Sequence, residues 1–296
     1  MRLRPIDWAG WLFVAPAVMA IAVFFALPVL AALALSFTDF DIYALASLDN
    51  LRFAGLDNYR QLLGTPLFWQ ALGNTAFFVA VGVPLSIGAS LGAALLLNSP
   101  LVRARAFFRT ALFAPVVTTL VAVAVVWKYL LHTRYGLINQ GLTALGLDAV
   151  DWLGNPATAM PAIVLMSVWK NYGYNMVILL AGLQAIPKEL YEAAQLEGAT
   201  RWQQLRHVTL PQLAPMLLMV SILTTAGHFQ LFAEPYVMTQ GGPAQRTVTV
   251  LYFMYEEGFK WWSLGAASAV AFVLFLVMFA LTRLQLWAAR RQEGAA

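Results

Sequence analysis

Residues 192–211 read EAAQLEGATRWQQLRHVTLP, a polar island with two glutamates, two arginines and a closing Leu-Pro, set between two long apolar runs. The surrounding chain has 296 residues, 61% of them hydrophobic and 11% charged, with a mean hydropathy of +0.71. A soluble domain carries roughly a quarter charged residues, so most of this surface faces lipid. What the island does depends first on which side of the membrane it occupies.

A bilayer core needs about 20 apolar residues of helix. Six stretches qualify, at 11–36, 72–97, 107–131, 158–183, 214–235 and 264–287. The flank Met1-Arg2-Leu3-Arg4-Pro5 is basic like that of a signal peptide. The apolar run after it is far longer than a signal core, so we read a retained span. With the N-terminus inside, eleven basic residues fall on inner segments: Arg2, Arg4, Arg103, Arg105, Arg109, Lys188, Arg201, Arg206, Arg283, Arg290 and Arg291. Five fall outside: Arg52, Arg60, Arg134, Arg246 and Lys260. The excess of basic residues on the inner side puts both termini and the island in the cytoplasm. The expected class is an all-α membrane protein of six transmembrane helices, in the cytoplasmic membrane of a prokaryote. Residues 1–67 form a tail, first span and outer loop, 68–287 the transmembrane domain, and 288–296 a cytoplasmic tail.

Several function classes drop out. There is no cysteine, hence no disulfide framework or thiolate metal site, and His132, His207 and His228 lack metal-ligand spacing. The net charge of +4 follows from the inner basic residues and does not call for nucleic acid. No metal or cofactor is expected. An intramembrane enzyme needs a nucleophile with a base, or paired carboxylates, within spans; Glu234 is the only acidic residue placed there, and no Ser–His or His–Asp spacing stands out. No internal repeat supports an inverted-repeat secondary transporter.

The island itself reads as helix, corner, helix. Pro187 fits a first helical turn, and residues 188–197 are good helix formers with Glu189 and Glu192 early, where the helix dipole favours anions. Gly198 sits where a left-handed residue ends a helix, and Thr200-x-x-Gln203 fits a capping box opening the next one. Leu190, Ala193, Ala194 and Glu197 share a face, with the alanines leaving room for a close partner. A helix lying on lipid prefers basic residues on its polar side, whereas this one offers Glu189, Glu192 and Glu197 to an anionic leaflet. A protein partner fits better.

Glu192-Ala193-Ala194, Gly198 and Val208-x-Leu210-Pro211 together resemble the EAA loop of ABC importer permeases, departing only in Val208 where that pattern has Ile. The resemblance implies that Glu192, Ala193, Ala194, Gly198, Leu210 and Pro211 form a coupling helix and corner docking on a cytoplasmic ATPase. Ala181-Gly182-Leu183-Gln184, Ile186-Pro187, Gly136-Leu137-Ile138-Asn139, Trp152-Leu153 and Thr239-x-Gly241-Gly242-Pro243 are similar to the carbohydrate-importing, maltose-type branch. The likeness runs over residues 10–287 and implies the type I ABC importer permease fold. It also implies a second homologous permease, two ABC ATPase subunits and an extracytoplasmic solute-binding protein. No Walker motif occurs, so ATP hydrolysis falls to another chain.

Polar residues within spans are costly unless they face a bundle interior or a water-filled cavity. Span four carries Ser167, Trp169, Lys170, Asn171, Tyr172, Tyr174 and Asn175; span five carries Thr224, Thr225, His228, Gln230 and Glu234, then breaks at Pro235. The family motif points to Ser167, Lys170, Asn171, Thr224 and His228 as the sugar site, with Trp169, Tyr172, Tyr174 and Phe229 as stacking candidates. Lys170 has two readings: a donor to substrate, or a structural contact with Glu234 or a backbone carbonyl. A carbohydrate is the expected cargo. A glycerol phosphate or another small anion, held by Lys170 and His228, is the alternative within the fold, and an ion-coupled secondary transporter the one outside it.

Overall fold

The computed structural model describes residues 8–293; Arg2 and Arg4 of the basic flank, and residues 294–296 of the tail, lie outside the described residues. The described chain is helical, with a lone bridge between Thr38 and Phe53. Two compact units form, one from residues 1–66 and 254–275, the other from 67–253 and 276–296.

In the first unit, α1 (Trp8–Ile21) passes through a π turn (Ala22–Ala26) into α2 (Leu27–Leu35). The π turn has a local cause. Pro28 sits in the first turn of α2 and cannot supply a helical N–H, and the turn before it widens so that Leu27 N–H reaches the Ala22 carbonyl. From residue 11 onward none of this helix is buried within the chain. The segment that follows holds α3 (Ile42–Ala46) and α4 (Asp57–Gly64). Its acidic residues have structural work. Asp41 caps α3 by accepting from Tyr43 N and Ala44 N, and Asp39 accepts from Arg52 N at 2.7 Å. Asn58 donates to the carbonyls of Ser36 and Thr38, closing the loop on the end of α2.

The second unit opens with α5 (Pro66–Asn98), a 33-residue helix. It continues through α6 (Arg105–Val117), α7 (Leu120–Leu130), α8 (Leu137–Ala144), α9 (Ala159–Ala185), α10 (Lys188–Leu196), α11 (Arg201–Gln204), α12 (Leu210–Phe229), α13 (Ala233–Met238) and α14 (Val250–Tyr255). The closing helix, α15 (Leu264–Glu293), begins in the first unit and ends in the second. Among the described residues four helices are long and apolar enough to cross a membrane: Trp11–Leu35, Pro66–Asn98, Arg201–Phe229 and Leu264–Arg291. The pair α6–α7 makes a fifth if counted as one span. At 27 residues α9 is about 40 Å long, but its polar middle keeps it out of that set.

Two of the expected spans are broken. The stretch 107–131 is two helices bent by 97° at Thr118 and Thr119. Four consecutive β-branched residues, Val116 to Thr119, resist helix there. The freed carbonyls are taken up by side chains: Thr118 Oγ1 donates to Pro115 O at 2.6 Å and Lys170 Nζ to Val116 O at 3.2 Å. The stretch 214–235 ends its helix at Phe229, earlier than the expected break at Pro235. A proline acts on the turn before it, because its ring meets the carbonyl four residues back, here Leu231. The chain unwinds over Gln230–Phe232, Thr249 Oγ1 donates to the Leu231 carbonyl, and Pro235 falls in the first turn of α13.

Two apolar clusters hold this unit. One joins Phe78, Trp127, Ile163, Met166 and Met238; the other joins Leu97, Met176, Leu179, Leu183 and Leu213. Where α9 crosses α6, a Cβ on Gly173 would lie 2.5 Å from the Leu112 carbonyl, so only glycine allows this approach. Beyond α7, buried Asn139 donates to the Val150 carbonyl at 2.8 Å and accepts from Val150 N and Trp152 Nε1, each at 3.1 Å. The segments Gly136–Asn139 and Trp152-Leu153 are thus parts of one knot.

Candidate functional site

The faces of α9 and α12 meet around a cavity of about 530 Å³. Ser167, Asn171, Tyr174 and Asn175 reach it from α9, and Leu223, Thr224, Gly227 and His228 from α12. Spacings of four on α9 and of one, four and five on α12 put each set on one side of its helix. The unwound Gln230–Phe232, then Ala233 and Glu234, complete the polar wall, while Phe78, Val116, Leu120 and Leu251 make it partly apolar.

Hydrogen bonds fix the geometry. Asn175 Nδ2 donates to Thr224 Oγ1 at 2.8 Å, joining the two helices, and Asn171 Nδ2 donates to Ser167 Oγ at 3.3 Å. His228 Nδ1 faces the Thr224 carbonyl at 2.8 Å and must carry the proton there, since a carbonyl only accepts. Its Nε2 is buried without a protein partner, and the ring lies 5.0 Å from that of Phe78. Each asparagine keeps its amide oxygen for a guest. Such a set of amides and hydroxyls in a partly apolar wall suits a polyhydroxylated molecule.

Four of the five residues expected at a sugar site, Ser167, Asn171, Thr224 and His228, line this cavity. Lys170 does not. Its Nζ is spent on the Val116 carbonyl at the α6–α7 break, so the carbonyl reading of this lysine is the one the structure bears out. Its charge also interacts with that of Glu234, though the two lie beyond ion-pair distance. The stacking candidates thin out similarly. Trp169 is two residues from Ser167, about 200° round the helix, and packs on Trp127 with ring centroids 5.7 Å apart. Tyr172 and Phe229 do not line the cavity; Tyr174 does, and Phe78 and Phe232 join it. Sequence reasoning left Asn175, Gln230 and Glu234 out of the site. Asn175 was within reach, since it lies one turn beyond Asn171 and two beyond Ser167. Gln230 and Glu234 depend on the unwinding before Pro235.

The second site is the corner after α10. Pro187 stands just before that helix as its cap, not within the first turn. At the other end Ala199 N–H bonds to Ala194 O at 2.9 Å and Gly198 N–H to Gln195 O at 3.0 Å, a Schellman motif with Gly198 at φ +78°. The reciprocal capping box of Thr200 and Gln203 follows directly. The helix it opens is not a separate element. It runs from α11 through a π turn (Leu205–Thr209) into α12, the turn again lying just before a proline, Pro211. Tyr191 Oη and Thr209 Oγ1 lie 3.0 Å apart and tie α10 to this helix. Glu192, Ala193, Gly198 and Pro211 are exposed; Ala194 and Leu210 are half-buried. Ala194, Glu197, Gly198, Gln203 and His207 border a shallow concavity of about 350 Å³, and Leu196 and Trp202 project from the corner, 90% and 69% exposed.

Comparison with known proteins places these features. The lactose transport system permease protein LacF of Rhizobium radiobacter is 38% identical over 295 residues, covering 98% of this chain and 97% of that protein. The sulfoquinovosyl glycerol transport system permease protein SmoG of Agrobacterium fabrum is 32% identical, covering 97% and 95% respectively. A crystal structure of a bacterial ABC transporter involved in the import of the acidic polysaccharide alginate shares the fold, with a TM-score of 0.82 at 22% identity over 96% of each chain. Residues 102–294 match the family described as binding-protein-dependent transport system inner membrane component. On this match and on LacF, the chain belongs to the binding-protein-dependent transport system inner membrane component family, as a multi-pass permease.

Proposed function

We propose that the chain is the permease subunit of a type I importer for a carbohydrate, passing its substrate through the α9–α12 cavity. As a member of its family it is not the hydrolytic subunit; ATP is split by a separate ATPase. The observation that carries the substrate reading is the cavity wall, where Ser167, Asn171, Asn175, Thr224 and Gln230 offer hydroxyls and amides to a partly apolar space. The named cargoes of LacF, a sugar, and of SmoG, a sugar glycoside, support it. So does the carbohydrate imported by the alginate transporter.

The finer assembly follows the same reading. The chain pairs with a second, homologous permease and two ATPase subunits, and a binding protein delivers the sugar from outside. Six spans cross the membrane, α9 being the sixth, with both termini inside and residues 68–287 as the transmembrane domain. Glu192, Ala193, Ala194, Gly198, Leu210 and Pro211 couple it to the ATPase. Exposed Ala193 and the rigid glycine corner support docking, and exposed Leu196 and Trp202 add apolar area.

The test is reconstitution of the complete transporter in liposomes with radiolabelled neutral sugars. Uptake is expected only with ATP, ATPase subunits and binding protein together. Uptake by the chain alone, driven by an ion gradient, would replace this reading with secondary transport.

A further inference from the structure

We infer that Glu234 sets the charge class of the substrate: its carboxylate accepts hydrogen bonds from the hydroxyls of an uncharged sugar and turns away acidic sugars. The inference rests on the carbohydrate reading above and sharpens it. Around the cavity the titratable side chains are Tyr174, His228 and Glu234. His228 commits its Nδ1 proton to the Thr224 carbonyl, and its other nitrogen is buried beside Phe78. Lys170, the basic residue expected there, donates to Val116 O; its charge still interacts with that of Glu234, but from beyond ion-pair distance. Among the described residues Glu234 is therefore the one carboxylate on the wall; the residue is only 6% exposed, and its carboxylate accepts from its own backbone N–H.

A buried carboxylate is acceptor-only with about four lone-pair positions, and one backbone N–H leaves most of them to satisfy. Two neighbouring hydroxyls of a sugar match that demand and supply two donors. A sugar carboxylate or sulfonate supplies no donor and adds like charge in a space of low dielectric. Placement supports the role. Glu234 follows the unwound Gln230–Phe232 and so enters the same space as Asn171 and Asn175.

The experiment uses the whole transporter in nanodiscs and equilibrium binding of lactose, maltose and cellobiose, with digalacturonate and lactobionate as acidic probes. Wild type is expected to bind at least one neutral disaccharide and to bind the acidic ones at least tenfold more weakly. Glu234→Gln should weaken the neutral sugar several-fold and strengthen the acidic probes about tenfold, while Glu234→Asp keeps the discrimination. Wild type binding acidic and neutral probes alike overturns the inference without any variant. So does Glu234→Gln with unchanged preference, which leaves the carbohydrate reading standing. No binding to wild type of any of a panel of neutral mono- and oligosaccharides overturns the carbohydrate reading and the inference with it.

Discussion

Lys170 shows how a single residue can be legible in kind and not in role. Its depth in a span marked it as costly to bury and hence partnered. The partner, Val116 O, lies 54 residues away and is free only because α6 stops there. No local pattern carries that information. Lys170→Met should therefore lower the thermal stability of the purified complex by about 1.5–3 kcal/mol, the range for a hydrogen bond to a charged group. It should leave the apparent affinity for sugar close to wild type; a large rise in KM at unchanged Tm would return Lys170 to the cavity. Asn175 gives the opposite expectation. It bonds Thr224 at 2.8 Å and faces the cavity, so Asn175→Ala should cost about 1–3 kcal/mol and raise KM together with the loss of stability. Thr224→Val removes the acceptor while keeping the shape, and should show the same pairing of effects. Ser167, Asn171, Thr224 and His228 came from the family resemblance, and all four reach the cavity because a spacing of four puts each pair on one face.

At the scale of elements, the corner at Gly198 was readable because its causes are local. A glycine, a threonine and a glutamine within six residues specify both the stop of α10 and the start of the next helix. The breaks in the spans were not. Pro235 marks the unwinding but shifts it upstream to Gln230–Phe232, and Pro28 and Pro211 widen a turn where a sequence reading sees only a helix start. Gly198→Asp tests the corner. A side chain in the left-handed region costs about 1 kcal/mol or more, and no neighbouring atom lies within 4 Å of the new Cβ, so the penalty is conformational rather than steric. Membrane insertion should be normal, while substrate-stimulated ATP hydrolysis should fall at least tenfold. Full stimulation in that variant would move the coupling role elsewhere.

For the whole molecule, the proposed direction of insertion rests on the eleven-to-five split of basic residues between its two sides, and the absence of cysteine offers a clean test. Single cysteines at Asp57 and Asp148 should react with an impermeant thiol reagent added outside cells, and one at Gln195 should not. Labelling at Gln195 would reverse the topology and detach the corner from any cytoplasmic ATPase. The unbroken helix from Arg201 to Phe229 carries a mechanical consequence. Between Thr200 and Thr224 it is a lever about 36 Å long, and a tilt of about 5° at one end gives a stroke of about 3 Å at the other. A stroke of that size is several times the stretch that takes the 2.8 Å Asn175–Thr224 contact out of hydrogen-bond reach. Tilting of this helix is therefore expected to loosen the latch between the two walls of the cavity.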